Sequence, residues 1–513
     1  MTIMIDLVVV GAGWFGLSAA KHYIQLHPNE RTVVLESANS CNGTWGADRL
    51  YPDLKSNNMV GSYEYPDFPM LEEVYGVRPD THIPAATMCR YLTDYAHHFG
   101  VFERVQFNTT VNTVELGPDD GWTLTIDPGS GPSTLHTKRL VLATGLTSLP
   151  NMPSFTGQES FNGPVFHARD FHKRADTLTT CKRVVVVGGA KSAFDVSYAY
   201  VQAGVQVDLV IRPDGNGPRK MEELLHTRCI TWFSPSPWQD EDGYSVVRSF
   251  LHGTKLGNLI VNTFWSILSA DIVEANGYED HHHPTLGSLK PWHSAFWTGS
   301  GVSIHNFDSS IFDLVKQGNI RVHSANITQL TEQQVHLSTG ETLDADAIDA
   351  ALVKDTVEMD GLLKTADDEI LSRFPILKSQ PSLRSRPKTK SNPLRCMISS
   401  VSTSTCPSLQ GLWISAYFDD ALQRVPQTQQ EAIHEVVTNS VWGKWRYPCG
   451  YGEDVADFAS DALPYFDLIM KDLGLNNHRK PTTISEIAEP YKPWDYKEIV
   501  DEWLQKRPIT NAK

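Results

Sequence analysis

The chain has 513 residues, of which 41% are hydrophobic and 20% charged, so it is neither a disordered tail nor a fibre. Its 44 basic and 60 acidic residues leave a net charge of −16, which excludes bulk binding to nucleic acid or to an anionic bilayer. The seven cysteines, at 41, 89, 181, 229, 396, 406 and 449, include no pair with the two-residue gap of a redox or zinc motif. Thiol–disulfide chemistry is thereby excluded, and a reducing, cytoplasmic location is expected. No secretory leader is expected either, because the apolar run after Met1 covers only Ile5 to Val10, contains Asp6 and ends in glycines.

Leu7-Val-Val-Val10 is all apolar, as a parallel strand buried on both faces requires. Gly11-Ala-Gly-Trp-Phe-Gly16 follows, then a helix from Leu17 to Gln25, then the strand Arg31 to Leu35 with Glu36 at its end. In such a unit Gly11 permits the tight turn, Gly13 lets a pyrophosphate touch backbone, and Gly16 lets the helix pack close to the strand. Glu36 stands 20 positions after Gly16, where a carboxylate accepts both ribose hydroxyls of a dinucleotide. Residues 106–145 alternate apolar and polar, with turns at Gly117 to Gly121 and Pro128 to Pro132. They predict a small antiparallel meander that closes on Leu140-Val-Leu-Ala-Thr-Gly145. The Pro-, Gly- and Ser-rich stretch 150–165 predicts a crossover between domains.

A second unit begins with the strand Arg183 to Val187, followed by the turn Gly188-Gly-Ala-Lys-Ser-Ala193, a helix to Ala203 and the strand Val205 to Ile211. Ala190 and Ala193 replace the second and third glycines, and the terminal acid is absent. Arg212 takes its place, and a guanidinium there suits a 2′-phosphate, so the unit predicts NADPH rather than NADH. Lys191 and Ser192 are further candidate ligands in the turn; a solvated loop arginine and a surface lysine stay open as alternatives. Residues 228–300 hold 5 of the 13 tryptophans, at 232, 238, 265, 292 and 297. They read either as an insertion with a small core of its own or as a wall or lid over an apolar pocket. Leu259 to Val273 is too short to span a bilayer and carries Asn262 and Asp271, so a buried or amphipathic helix is expected. Adjacent histidines at 281–283 point in different directions, and no metal site is expected. Residues 320–353 return as strands. The last hundred or so residues read helical, with a helix from Asp454 to Leu473 kinked at Pro464 and a final outer helix from Trp494 to Gln505.

Two dinucleotide units in one chain imply two cofactors held face to face, usually FAD in the first and NAD(P)H in the second. Phe161-Asn-Gly-Pro-Val-Phe-His-Ala-Arg-Asp-Phe171 fits FxGxxxHxxx(F/Y), with Phe161, Gly163, His167 and Phe171 at the defining positions. On these residues the chain resembles the flavin-containing, class B flavoprotein monooxygenases. The far C-terminus, with Asp472-Leu-Gly-Leu475 and Tyr496 to Trp503, resembles the fungal members acting in specialised metabolism. Asn42-Gly-Thr-Trp45, Tyr51-Pro-Asp-Leu-Lys-Ser-Asn57 and Ala143-Thr-Gly145 resemble further family segments, and the likeness covers residues 5–215 well and 300–355 loosely. The resemblance implies an α/β fold with two Rossmann-like domains and a helical C-terminal extension. The FAD domain would comprise 1–155 and 335–513, and the NADP domain 156–334 with the insertion at 228–300. Thr44, Trp45 and Thr144 would line FAD, and the amide of Asn57 would face flavin C4a, although Asn58 next door leaves that register open.

The activity so implied uses NADPH to reduce the flavin and adds O2 at C4a, and the resulting (hydro)peroxide passes one oxygen atom to a small organic substrate. The fingerprint ends in Asp170-Phe171 and not in the Trp-(Pro/Asp) of Baeyer–Villiger enzymes, which favours N- or S-oxygenation or hydroxylation; Baeyer–Villiger oxidation of a ketone is the alternative. An NADPH reductase or oxidase, or a relative that has lost catalysis, also stays open. The reason is that Asp346 to Lys354 lacks the family's second ATG turn and puts Asp349 in a strand that should be apolar. The expected partners are a small-molecule substrate and O2, with no nucleic acid and no stable membrane insertion; a homodimer is left open.

Overall fold

β1 (Ile5–Val10) is buried everywhere except at Asp6, because the sheet it centres is covered on both faces. It leads through the glycine turn into α1 (Trp14–Leu26) and back to β2 (Thr32–Leu35). A two-stranded antiparallel ribbon follows, β3 (Lys55–Met59) with β4 (His82–Pro84). The chain then forms β5 (Val105–Gln106), β6 (Thr110–Leu116), β7 (Trp122–Asp127) and β8 (Ser133–Leu142). β8 is antiparallel to β7 and parallel to β1, so the meander joins the parallel part as one six-stranded sheet, ordered β5-β2-β1-β8-β7-β6. This computed structural model describes the whole chain except residues 1–3, 118–120, 146–149, 151, 214–226, 281, 299–304, 352–362, 382–404, 450–451, 453–458 and 507–513.

The second unit repeats the plan. β9 (Val165–His167) precedes β10 (Arg183–Val187), α2 (Lys191–Gln202) and β11 (Gln206–Ile211). After a long helical excursion come β12 (Ile320–Ser324), β13 (Ile327–Thr331), β14 (Gln334–Leu337), β15 (Thr342–Asp344) and β16 (Ala347–Ala350). Strands β13 to β15 form their own antiparallel sheet, and the main sheet runs β12-β11-β10-β16-β9, all parallel. A domain boundary at 334/335 is therefore wrong: it falls inside β14, and β16 lies between β10 and β9. The second unit extends to Ala350, because strand order across a sheet is a long-range property that the local pattern of residues 335–350 does not carry.

The aromatic-rich segment does not close on a core of its own. Trp238, Val261, Trp265 and Phe296 share one core with Leu409, Trp442, Phe466 and Trp503 from the C-terminal helices. Buried arginines tie the two halves of this lobe together. Arg228 donates to both oxygens of Asp467 (2.6 and 3.0 Å) and to Glu486, and Arg446 donates to Ser234 at 2.9 Å. Charges this deep persist only when paired. The helix α3 (Lys255–Ala275) buries Val261, Trp265 and Ile272 and leaves Leu259 and Ile267 exposed. Next, α4 (Thr405–Phe418) packs on α1, where Gly411 lies so close that a Cβ would sit 2.7 Å from His22 Nδ1. Burial pushes that imidazole down to about 3, so it packs as a neutral ring.

The helix expected from Asp454 to Leu473 is shorter: α5 spans Ala462–Asp472. Pro464 therefore lies in its first turn, where a missing N–H costs nothing, and no kink arises. Residues 454–458 lie outside the described residues. The last helix, Ile499–Lys506, is preceded by a separate turn at Pro493–Tyr496 and buries Ile499 and Trp503 in the lobe, while Trp494 stays half exposed.

Candidate active site between the two dinucleotide units

At the carboxyl end of β1, Gly11 has φ +101° and its missing Cβ would lie 2.3 Å from the Ala143 carbonyl oxygen. A Cβ on Gly16 would lie 1.9 Å from the Gly11 carbonyl oxygen, so both positions demand glycine for packing alone. Gly13 differs: it is the N-cap of α1, with φ −87°, and a Cβ there would meet only backbone of Gly43, its Cα at 3.5 Å and its N at 3.9 Å. Among the described residues no side chain caps this helix, and its first turn holds no acid. The backbone donors there are open to an anion. Glu36 is buried at the end of β2; its Oε2 accepts from Ala12 N–H (2.7 Å) and its Oε1 from Ala38 N–H (2.9 Å). Oε1 also accepts from the Ser37 hydroxyl at 3.3 Å. These bonds hold the carboxylate beside the glycine turn, and Oε2 retains a lone pair for a ribose hydroxyl.

The turn Gly43–Trp45 backs onto Gly13; Thr44 is exposed, and Trp45 donates its indole N–H to the Tyr63 hydroxyl (3.2 Å). Thr144 is exposed just beyond the end of β8. Asn57 lies at the middle of β3, half buried, and its Oδ1 is enclosed without a hydrogen-bond partner among the described residues.

In the second unit Gly188 has φ +149° and approaches the Ala351 carbonyl and Ala193, so a Cβ would fall 2.9 Å from that oxygen. Ala190 caps α2 with no side-chain bond, and Ser192 stands in the first turn. Arg212 is exposed one residue past the end of β11. Lys191 is held differently from its sequence reading: its ammonium pairs with Asp195 and donates to Asn306 Oδ1 at 3.1 Å. Asp195 in turn accepts from the Tyr51 hydroxyl at 2.8 Å. Burial pushes the Asp195 carboxyl up, and Lys191 and Tyr51 offset this by holding it down.

The fingerprint residues shape the edge of the second unit, and Phe171 among them reaches across the seam to the first. A Cβ on Gly163 would lie 2.0 Å from the Asp346 carbonyl oxygen, so this glycine lets β9 approach β16. Phe161 is buried, His167 Nδ1 accepts from Arg169 N–H at 3.0 Å, and Phe171 packs between Tyr51 (5.8 Å) and Tyr200 (5.2 Å). Asp349, the acid in the apolar strand, has no exposure, and neither carboxyl oxygen has a partner among the described residues. Burial pushes this carboxyl well up, so it is held in the protonated form. Residues 352–354, where the second ATG turn would complete, lie outside the described residues. Sequence reasoning did not single out Asp195 and Asn306. The helical i,i+4 spacing of Lys191 and Asp195 was a signal for the first; nothing local marked Asn306.

The uncapped helix ends, the glycine approaches, the ribose-ready Glu36 and the exposed Arg212 fit one FAD and one NADPH. Residues 8–231 match the family model described as pyridine nucleotide-disulphide oxidoreductase. A FAD-dependent monooxygenase of Aspergillus nomiae is 31% identical across 99% of this chain and 100% of its own length. One from Pyrenophora dematioidea is 33% identical across 94% of this chain and 100% of its own. Among solved structures, the open crystal structure of cyclohexanone monooxygenase superposes with a TM-score of 0.60 at 15% identity, covering 92% of this chain and 98% of that one. Oxidized steroid monooxygenase bound to NADP gives 0.52 at 19% identity, covering 69% and 72%. The structural likeness shows the fold, the full-length relatives show the family, and the chain belongs to the FAD-dependent monooxygenases.

Proposed function

We propose that this monooxygenase carries out N- or S-oxygenation or hydroxylation of a small organic specialised metabolite, with Asn57 at the reacting edge of the flavin. The Asp170-Phe171 ending of the fingerprint supports the reaction type, and the enclosed, unpartnered Oδ1 of Asn57 on β3 is the observation that carries the role of Asn57. An unpaired buried amide oxygen costs about 1–3 kcal/mol, and such a cost is sustained where a bound group takes the hydrogen bond. A neutral amide can also donate a hydrogen bond without delivering an acidic proton, which Asp, Glu or His at this position could do. Bound FAD supplies hydride acceptance from NADPH and activation of O2.

The chain's own residues bind, orient and shield. Gly13 and the α1 N-terminus would hold the pyrophosphate and Glu36 the ribose; Ser192 and Arg212 would hold the NADPH phosphates. Thr44, Trp45 and Thr144 would line FAD. Phe171 and Tyr51 fill the seam and keep water from it. Free thiols at Cys41, Cys89, Cys181, Cys229, Cys406 and Cys449 support a cytoplasmic location.

Asn57→Leu keeps approximate volume and removes the amide. The variant should bind FAD and oxidise NADPH at near the wild-type rate, yet release hydrogen peroxide in place of product. If peroxide release per NADPH matches the wild type, Asn57 is scaffolding.

A further inference from the structure

One polar chain crosses the seam and grips the segment that carries Asn57 at two points. Tyr51 donates to Asp195 Oδ2 at 2.8 Å, and Asp195 Oδ1 pairs with the Lys191 ammonium. Lys191 also donates to Asn306 Oδ1 at 3.1 Å, and Asn306 Nδ2 donates to the Ser56 carbonyl at 2.7 Å. Both ends therefore close on residues 51–56, immediately before Asn57. The middle is supplied by α2 and by the segment before β12, both from the second unit. The amide of Asn306 is used at both ends in one orientation, which only an Asn of this reach provides. Asp195 has 4% side-chain exposure and Lys191 18%, so the ion pair is shielded from water and stronger than a surface pair. Lys191 lies at the first position of α2, where its spacing suggests a phosphate ligand, but its charge is already balanced by Asp195.

We propose that Lys191, Asp195 and Asn306 are positioning residues: a relay that registers β3 against the NADPH-binding unit and acts through protein, not on the NADPH phosphate. The relay's effect on coupling rests on the proposed role of Asn57, whereas its effect on β3 does not.

The test uses FAD-loaded enzyme and three variants: Lys191→Met, Asn306→Leu and, as the conservative rescue, Lys191→Arg. Three quantities are read: hydrogen exchange of the amides of residues 55–59, the ratio of NADP+ to NAD+ affinity by titration, and peroxide released per NADPH. Lys191→Met and Asn306→Leu should each speed exchange in β3 by roughly tenfold, the factor expected when a shielded, charge-anchored hydrogen bond is lost. The affinity ratio should not change, peroxide release should rise, and Lys191→Arg should restore protection. Arg212→Ala should do the reverse, altering the affinity ratio and leaving β3 exchange alone. A selective loss of NADP+ affinity in Lys191→Met with β3 exchange unchanged overturns the relay and makes Lys191 a phosphate ligand. Unchanged β3 exchange in Asn306→Leu, which is far less prone to misfold because only a neutral amide is removed, overturns it as well. Faster β3 exchange without added peroxide upholds the relay and removes Asn57 from the chemistry.

Discussion

Gly13 and Gly16 belong to one glycine motif, yet the structure gives them separate tasks that two single substitutions can distinguish. Gly13 has a φ that any residue adopts, and a Cβ would stand 3.5 Å from Gly43 Cα, an ordinary contact. As an N-cap change, Gly13→Ala should cost the fold about 1 kcal/mol or less. Its methyl group would, however, project where the pyrophosphate must meet backbone. Gly16→Ala places its Cβ 1.9 Å from the Gly11 carbonyl oxygen, so α1 must move off the sheet. That overpacking costs about 3 kcal/mol or more, because the neighbour is backbone and cannot rotate away. The assay is flavin absorbance per protein together with thermal melting with and without added FAD. A ligand at a hundred times its Kd stabilises by about 2.7 kcal/mol, so wild-type apoprotein should melt distinctly higher once FAD is added. Gly13→Ala should purify folded and nearly colourless, melt like wild-type apoprotein and gain little from FAD. Gly16→Ala should be destabilised before any flavin is considered. If Gly13→Ala retains full flavin, or Gly16→Ala melts like the wild type, the assignment of these roles is wrong.

Arg212→Ala should raise the NADPH KM roughly ten- to hundredfold and leave that for NADH nearly unchanged, as losing a charge-assisted phosphate contact of about 1.5–3 kcal/mol requires. Equal effects on both nucleotides would falsify the 2′-phosphate assignment. The folded pKa of Asp349 is raised by burial, so folding retains a proton that the unfolded chain releases, and its presence costs stability increasingly as pH rises above the unfolded value. Asp349→Asn should therefore gain on the wild type in urea unfolding as pH rises above the ordinary carboxyl range, by up to about 1.4 kcal/mol per pH unit; a pH-independent difference would show that the carboxyl is paired. Arg228→Met strands Asp467 and Glu486 in the lobe and should cost about 3–5 kcal/mol, read by denaturant unfolding; a loss under about 1 kcal/mol would mean the pair is solvated.

Where the physics is local, the sequence was readable. The apolar runs Leu7–Val10 of β1 and Val184–Val187 of β10, the turns after them and the acid or arginine closing each unit follow from short-range rules, and the structure has them at the expected residues. What local pattern could not carry was long-range pairing. β16 was given to the wrong unit because nothing in Ala347–Ala350 says which strand it will lie beside. That the tryptophan-rich segment shares its core with the C-terminal helices was not readable, because its partners are distant: Arg228 meets Asp467 across 239 positions of chain. Lys191 read as a phosphate ligand or as a surface lysine because only its place at the start of α2 was visible, while the carboxylate and amide it bonds were not. Pro464 shows the same limit at the scale of one turn, since the same residue breaks a helix interior or opens a helix depending on where the helix starts.

The central claim is that the two nucleotide sites together pass one atom of O2 to an organic substrate. Purified enzyme supplied with NADPH, labelled dioxygen and an extract of the producing organism's metabolites tests it directly by mass spectrometry. A new product should appear that carries one labelled oxygen atom on nitrogen, sulfur or carbon, formed with one NADPH consumed. Label recovered only as hydrogen peroxide, or no NADPH consumed, would contradict it; label inserted beside a carbonyl to give an ester or lactone would replace the proposed reaction with Baeyer–Villiger oxidation.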